Sequence, residues 1–225
     1  MAISLASLQT SSTLRPPRIL MHGVHGVGKT TFAAGADAPV VIMTEDGLGM
    51  LKVPHFPLAT SYADVVEALD ALLSEDHPYH TVVIDSVDWL EPLVWAETCR
   101  RNGWASIEAP GFGKGYAEAL TVWREYLDRL NTLRDRRGMA VVQIAHTDIK
   151  RFDSPEHEPY DRYVIKLQAR AAALLQEHCD VVLFANYRMS ITKADVGFNK
   201  KVARALGSGE RVLHTAERPA FLAKN

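Results

Sequence analysis

The chain has 225 residues, 47% of them hydrophobic and 23% charged, with a formal net charge of −2. This composition leaves room for one sizeable core and excludes a uniformly basic surface, so nucleic acid would have to be met by a local stripe of Lys and Arg. Cys99 and Cys179 lie far apart without CxxC spacing, which argues against a disulfide framework or a thiolate metal site, and no segment reaches the roughly 18 apolar residues of a membrane helix.

Residues 1–17 carry no basic stretch followed by a sustained apolar one, and are read as a flexible lead to a single cytoplasmic domain over 18–225. The domain opens on the apolar run "RILMH", and "PVVIMT", "HTVVID", "MAVVQIAH" and "CDVVLFAN" follow at intervals filled by stretches of helical spacing. Short apolar strands alternating with helices predict an α/β fold, a three-layer sandwich with a mostly parallel central sheet. The clearest helix follows "GFGKG", where Tyr116, Leu120, Trp123, Leu127, Leu130 and Leu133 recur every three or four residues as a core stripe. Two segments, 102–115 and 147–163, show neither period and read as long loops, which in a compact domain tend to be functional or disordered.

The first strand runs into "GVHGVGKTT". Gly23, Val24, His25, Gly26, Val27, Gly28, Lys29 and Thr30 satisfy G-x-x-x-x-G-K-[ST] between a predicted strand and a predicted helix, with Thr31 next. Glycines there let backbone N–H groups curl around phosphate oxygens, Lys29 can set a point charge on the β- and γ-phosphates, and the Thr30 hydroxyl can join the shell of Mg²⁺. The loop alone leads to the expectation of a nucleotide site.

Three further residues end strands at the edge where open α/β sheets collect ligands. Asp85 closes "TVVID" and can hold Mg²⁺; the alternative is an acid that caps the next helix. Glu45 follows "PVVIMT" and can polarise the attacking water; Asp46 beside it, or a plain turn acid, is the alternative. His146 closes "MAVVQIAH" and can touch the γ-phosphate, against a histidine merely satisfied by nearby loops.

Taken together, "GVHGVGKTT", "VVIMTEDG", "VVIDSVDWLEP" and "VVQIAH" resemble the RecA-like P-loop ATPase core, and "GFGKGY", "RYVIKLQ", "CDVVLFANY" and "HTAERPAFLAKN" are similar to phage nucleotide-binding proteins related to the Sak-type single-strand annealing ATPases. The resemblance runs from about Arg18 to the last residue. It implies an ATPase core acting on single-stranded DNA in phage recombination or replication, with Lys29, Glu45, Asp85 and His146 as its catalytic set and loops 102–115 and 147–163 facing DNA. His146 stands where that family carries a γ-phosphate-sensing Gln. In the first loop Arg100, Arg101, Trp104, Phe112 and Lys114 mix cations with aromatics; in the second, Lys150, Arg151, Arg162 and Lys166 are offset by Asp153, Glu156, Glu158 and Asp161, which suits a solvated face or a subunit contact as well as DNA. The resemblance also implies a homo-oligomeric ring or filament in which a neighbour supplies a cation, with Lys200, Lys201, Arg204, Arg211 and Lys224 as candidates. The rival readings are a nucleotide-gated assembly or adaptor protein with little hydrolysis and a small-molecule P-loop kinase, for which no compact Arg-rich lid is evident.

Overall fold

The computed structural model describes residues 7–8, 14–154, 158–195 and 201–225, and the side chains of these apart from 189–208. Five strands with continuous apolar runs form where both faces of a sheet are covered, as parallel sheets require: β1 Arg18–Gly23, β2 Pro39–Met43, β3 Thr81–Asp85, β4 Ala140–Phe152 and β6 Val181–Asp195. They lie in the order β2-β3-β4-β1-β6, all neighbours parallel. Strand β7, Lys201–His214, closes that end antiparallel to β6, and β5, Tyr160–Ile165, pairs antiparallel with the outer part of β4.

Alternation along each strand sends side chains to opposite faces. Leu20, Val40, Ile42, Val82, Ile84 and Val141 face one core, shared with helices α2 Tyr62–Ser74, α3 Val87–Asn102, α4 Lys114–Arg137 and α5 Ala169–His178. Val41, Met43, Val83, Val142 and Ile144 face the other, covered by the short helix α1 Lys29–Ala34 and by Leu48 and Val53 of the segment after β2. The expected three-layer α/β sandwich is therefore what forms.

Local signals explain the helices. Ser61 caps α2 and Asp64 returns the bond to the Ser61 backbone, a reciprocal capping box. Helix α3 carries Asp88 in its first turn and Arg100 and Arg101 in its last, matching the dipole at both ends. The α4 stripe buries Trp123, Leu127, Leu130 and Leu133 as expected, with Tyr116 and Leu120 half-buried at its start. One polar group enters this core satisfied: Gln143 accepts from the Tyr126 hydroxyl at 2.9 Å and donates to the Cys179 sulfur at 3.4 Å. Burial pushes the Cys179 thiol up to about 12, so it stays protonated and inert.

Both expected long loops are shorter than predicted. Asn102 ends α3 and Lys114 begins α4, leaving 103–113 between them. Segment 147–163 is largely a ribbon, with β4 and β5 in register from Thr147 opposite Ile165 to Phe152 opposite Tyr160. A two-stranded ribbon outside the sheet needs no apolar face, so charged residues such as Arg151, opposite Asp161, hid it. Strand β6 likewise continues past the predicted run into a hairpin with β7. Most of the expected lead over 1–17 lies outside the described residues, but its end is docked: Arg134 donates to the Pro16 carbonyl at 2.6 Å and the Val141 amide to Pro17 at 3.0 Å. No helix among the described residues is long and apolar enough to cross a membrane.

Candidate functional site

Strand register brings the expected residues together. Gly23 at the end of β1 lies opposite His146 on β4, and Asp85 at the end of β3 lies between Ile144 on β4 and Met43 on β2. Beyond β2 the Thr44 amide donates to the Asp85 carbonyl at 2.8 Å, which fixes where Glu45 leaves the sheet. A cleft of about 390 Å³ opens here, lined among others by His25, Gly28, Thr30, Thr31, Glu45 and His146. A larger cleft of about 580 Å³ near Gln176, Thr215 and Leu222 shares none of these residues and lacks their chemistry.

Residues 23–31 form a loop turning into α1, and two glycines are required for its shape. A Cβ on Gly23 would stand 2.4 Å from the Ala185 carbonyl oxygen, so only glycine lets β1 pass β6 at this point. Gly28 takes φ +97° just before α1. Val27 is buried beneath the loop, Val24 is half-buried, and His25, Gly26 and Thr31 are exposed along it. Tyr187 donates its hydroxyl to the Gly26 carbonyl at 2.9 Å. Helix α1 has six residues, so the loop amides and Lys29, rather than a long helix dipole, supply the positive field. The Lys29 ammonium is buried and donates to the carbonyls of Gly23 at 3.0 Å and Val24 at 3.2 Å. Burial lowers its pKa, against the pull of Asp88, Asp85 and Glu45.

Asp85 is 2% exposed, and neither carboxylate oxygen has a hydrogen-bond partner among the described residues. Burial raises its pKa; Thr30 is the group that most favours the ionised form, although no hydrogen bond from it reaches ordinary geometry. A buried, unpartnered carboxylate is costly unless a cation joins it. Asp85 and the Thr30 hydroxyl are hard oxygen donors suited to Mg²⁺, an ion usually held by one or two carboxylates plus substrate phosphates. Among the described residues no cluster of three His, Cys, Asp or Glu could hold a metal alone.

Glu45 is half-buried, and burial raises its pKa despite the neighbouring His146, whose Nε2 lies 4.0 Å from the Glu45 Oε1. Asp46 is exposed on the same cleft. The residue that sequence reasoning passed over is Asp88, in the first turn of α3. Its carboxylate accepts from both the His146 amide and the His146 Nδ1, each at 2.9 Å. Burial alone would raise Asp88; the ring and amide of His146 outweigh it and hold the carboxyl below the usual range. The His25 ring stacks on His146 with centroids 5.8 Å apart.

Several of the expected DNA-facing and intersubunit cations make contacts within the chain. Arg100 and Arg101 both bind Glu97 at 2.7 Å, and Arg101 also binds Glu125. Arg162 pairs with Glu217 and Arg151 with Asp153. Phe112 is fully exposed and Trp104 half-buried. Of the candidate intersubunit cations, Lys200 lies outside the described residues, as do the side chains of Lys201 and Arg204. Lys224 donates to the Cys179 carbonyl at 2.6 Å in its own chain, and the Arg211 guanidinium lies over its own Gly28, 3.1 Å from where a Cβ would stand.

A mostly parallel sheet whose first strand runs into a G-x-x-x-x-G-K-[ST] loop, with an acid ending β3 beside it, defines a P-loop domain. The chain belongs to the AAA_24 family of AAA domains, which matches residues 15–225. It is similar to the crystal structure of the RadB recombinase, with 15% identity over 88% of this chain and 87% of that one and a TM-score of 0.49. Among curated proteins, none matches the sequence.

Proposed function

We propose that the chain is an Mg²⁺-dependent ATPase of RecA type that acts on single-stranded DNA in phage recombination or replication. The observation that carries the ATPase reading is the buried, unpartnered Asp85 carboxylate beside Thr30 and Lys29 at the mouth of the phosphate loop. The loop amides of 23–31 and Lys29 hold the phosphates, Thr30 and Asp85 hold Mg²⁺, and Glu45 orients and polarises the attacking water. The ion, when bound, neutralises phosphate charge. The Lys29 ammonium has only to leave the Gly23 and Val24 carbonyls to reach an anion, so the resting site keeps its cation satisfied.

The ion pairing of Arg100, Arg101, Arg151 and Arg162 favours a second reading, a nucleotide-gated assembly protein with little turnover. Calorimetry of ATP with and without Mg²⁺, followed by phosphate release with and without single-stranded DNA, separates the two. The ATPase reading expects binding that is lost in Lys29→Ala, and turnover in the parent that DNA stimulates. Tight binding without turnover supports the gated assembly, and a folded parent that ignores ATP overturns both.

A further inference from the structure

The arrangement around His146 goes beyond a residue that senses phosphate. Asp88 accepts from the His146 amide and from its Nδ1, so the residue is held once at its backbone and once at its ring, and the Nδ1 must carry a proton. With the proton there, the uncharged form of the ring presents the Nε2 lone pair to the cleft. The Glu45 Oε1 lies 4.0 Å from that nitrogen, and an ionised carboxylate is also an acceptor only.

Two acceptors at that separation suit a single water molecule. A water that donates to each at about 2.8 Å subtends about 90° between them, close to its own bond angle, and keeps a lone pair facing away from both. From this geometry we propose that Asp88, by holding the Nδ1–H tautomer of His146, creates a seat for the attacking water between His146 Nε2 and Glu45 Oε1. Asp88 is the positioning residue of this seat; His146 and Glu45 touch the water.

The proposal rests on the ATPase reading and deepens it. The water oxygen forms a bond to the terminal phosphorus, the bond from that phosphorus to the bridging oxygen breaks with its electron pair going to the diphosphate, and a water proton passes to Nε2. The resulting imidazolium lies between the Asp88 and Glu45 carboxylates, which stabilise it from both sides, whereas a proton on Glu45 would gain no such flanking. Deprotonation back to solvent resets the ring. The charged and titratable groups around His146 are Asp88 and Glu45 in contact, His25 stacked on it, and Asp85 and Lys29 acting at longer range.

The decisive comparison is Asp88→Asn against the parent. An amide in that place turns its NH₂ toward Nδ1 and forces the proton to Nε2, which replaces an acceptor by a donor in the water seat. The expected result is an ATP affinity within about threefold of the parent, and turnover lowered about a hundredfold or more. Nitrogen NMR of histidine-labelled protein, with the His146 signals assigned through His146→Gln, should show the proton on Nδ1 in the parent and on Nε2 in Asp88→Asn. If Asp88→Asn does not fold, the parent spectrum alone decides: a proton resident on Nε2 overturns the proposal. Turnover by folded Asp88→Asn within about fivefold of the parent also overturns it and leaves the ATPase reading standing. A parent that binds no ATP removes that reading and, with it, this one.

Discussion

Residues 140–146 and 147–152 of β4 belong to one strand and obey different rules. The inner part lies between β1 and β3, parallel to both, and buries Val141, Gln143 and Ile144. The outer part pairs antiparallel with β5, and Ile149 there is 61% exposed. Chemistry in such a fold sits where the two regimes meet. A fully covered strand cannot admit substrate, and an exposed ribbon cannot hold a side chain to a fraction of an ångström. His146 stands at the change, opposite Gly23 in the sheet and clamped by Asp88, with its far nitrogen facing the cleft.

Four changes probe this part of the molecule and its surroundings. The largest effect belongs to the inner part: Ile144→Ala should cost about 3 kcal/mol in urea unfolding, since Ile144 is fully buried against Val83 and Val142. Next is a pH effect on α3. Glu91 is buried and binds the Gln168 amide with both oxygens at 3.0 Å; burial raises it to about 7 from an ordinary 4.5. Because its proton is held more tightly in the folded state, the parent gains stability relative to Glu91→Gln as pH falls from about 7 to about 4.5, by roughly 2 kcal/mol, and the difference is flat outside that window. His22 and His178, held neutral to about 4 by burial, lose stability as acid is added, but they do so in both proteins and cancel. Thermal melts of the pair across pH measure it.

Gly23→Ala comes third. Its new methyl meets the Ala185 carbonyl at 2.4 Å, so β1 and β6 must part at the phosphate loop, which should cost about 1–3 kcal/mol and weaken ATP binding in calorimetry. Smallest is the outer counterpart of the first change: Ile149→Ala should stay within about 0.5 kcal/mol in the same urea experiment. If Ile149→Ala cost as much as Ile144→Ala, the ribbon would be part of the core and the contrast would fail.

The parallel strands were legible because burial on both faces writes them as unbroken apolar runs: "TVVID" is buried at every position of β3. Helix α4 was legible from its stripe, and the phosphate loop from its spacing. The outer ribbons were not, since exposed antiparallel strands tolerate charges on either side and look like loop. Asp88 escaped for another reason. In sequence it is an acid in a first helical turn, where the dipole alone explains it, and its partner His146 is 58 residues away. Only the adjacency of β3 and β4 brings them together. Arg211 and Lys224, read from the sequence as candidate cations for a neighbour, lie beside Gly28 and on the Cys179 carbonyl of their own chain.

Tyr187 on β6 holds the Gly26 carbonyl, and Arg211 on β7 covers Gly28. The antiparallel pair β6–β7 therefore borders the phosphate loop at two points, one hydroxyl and one guanidinium.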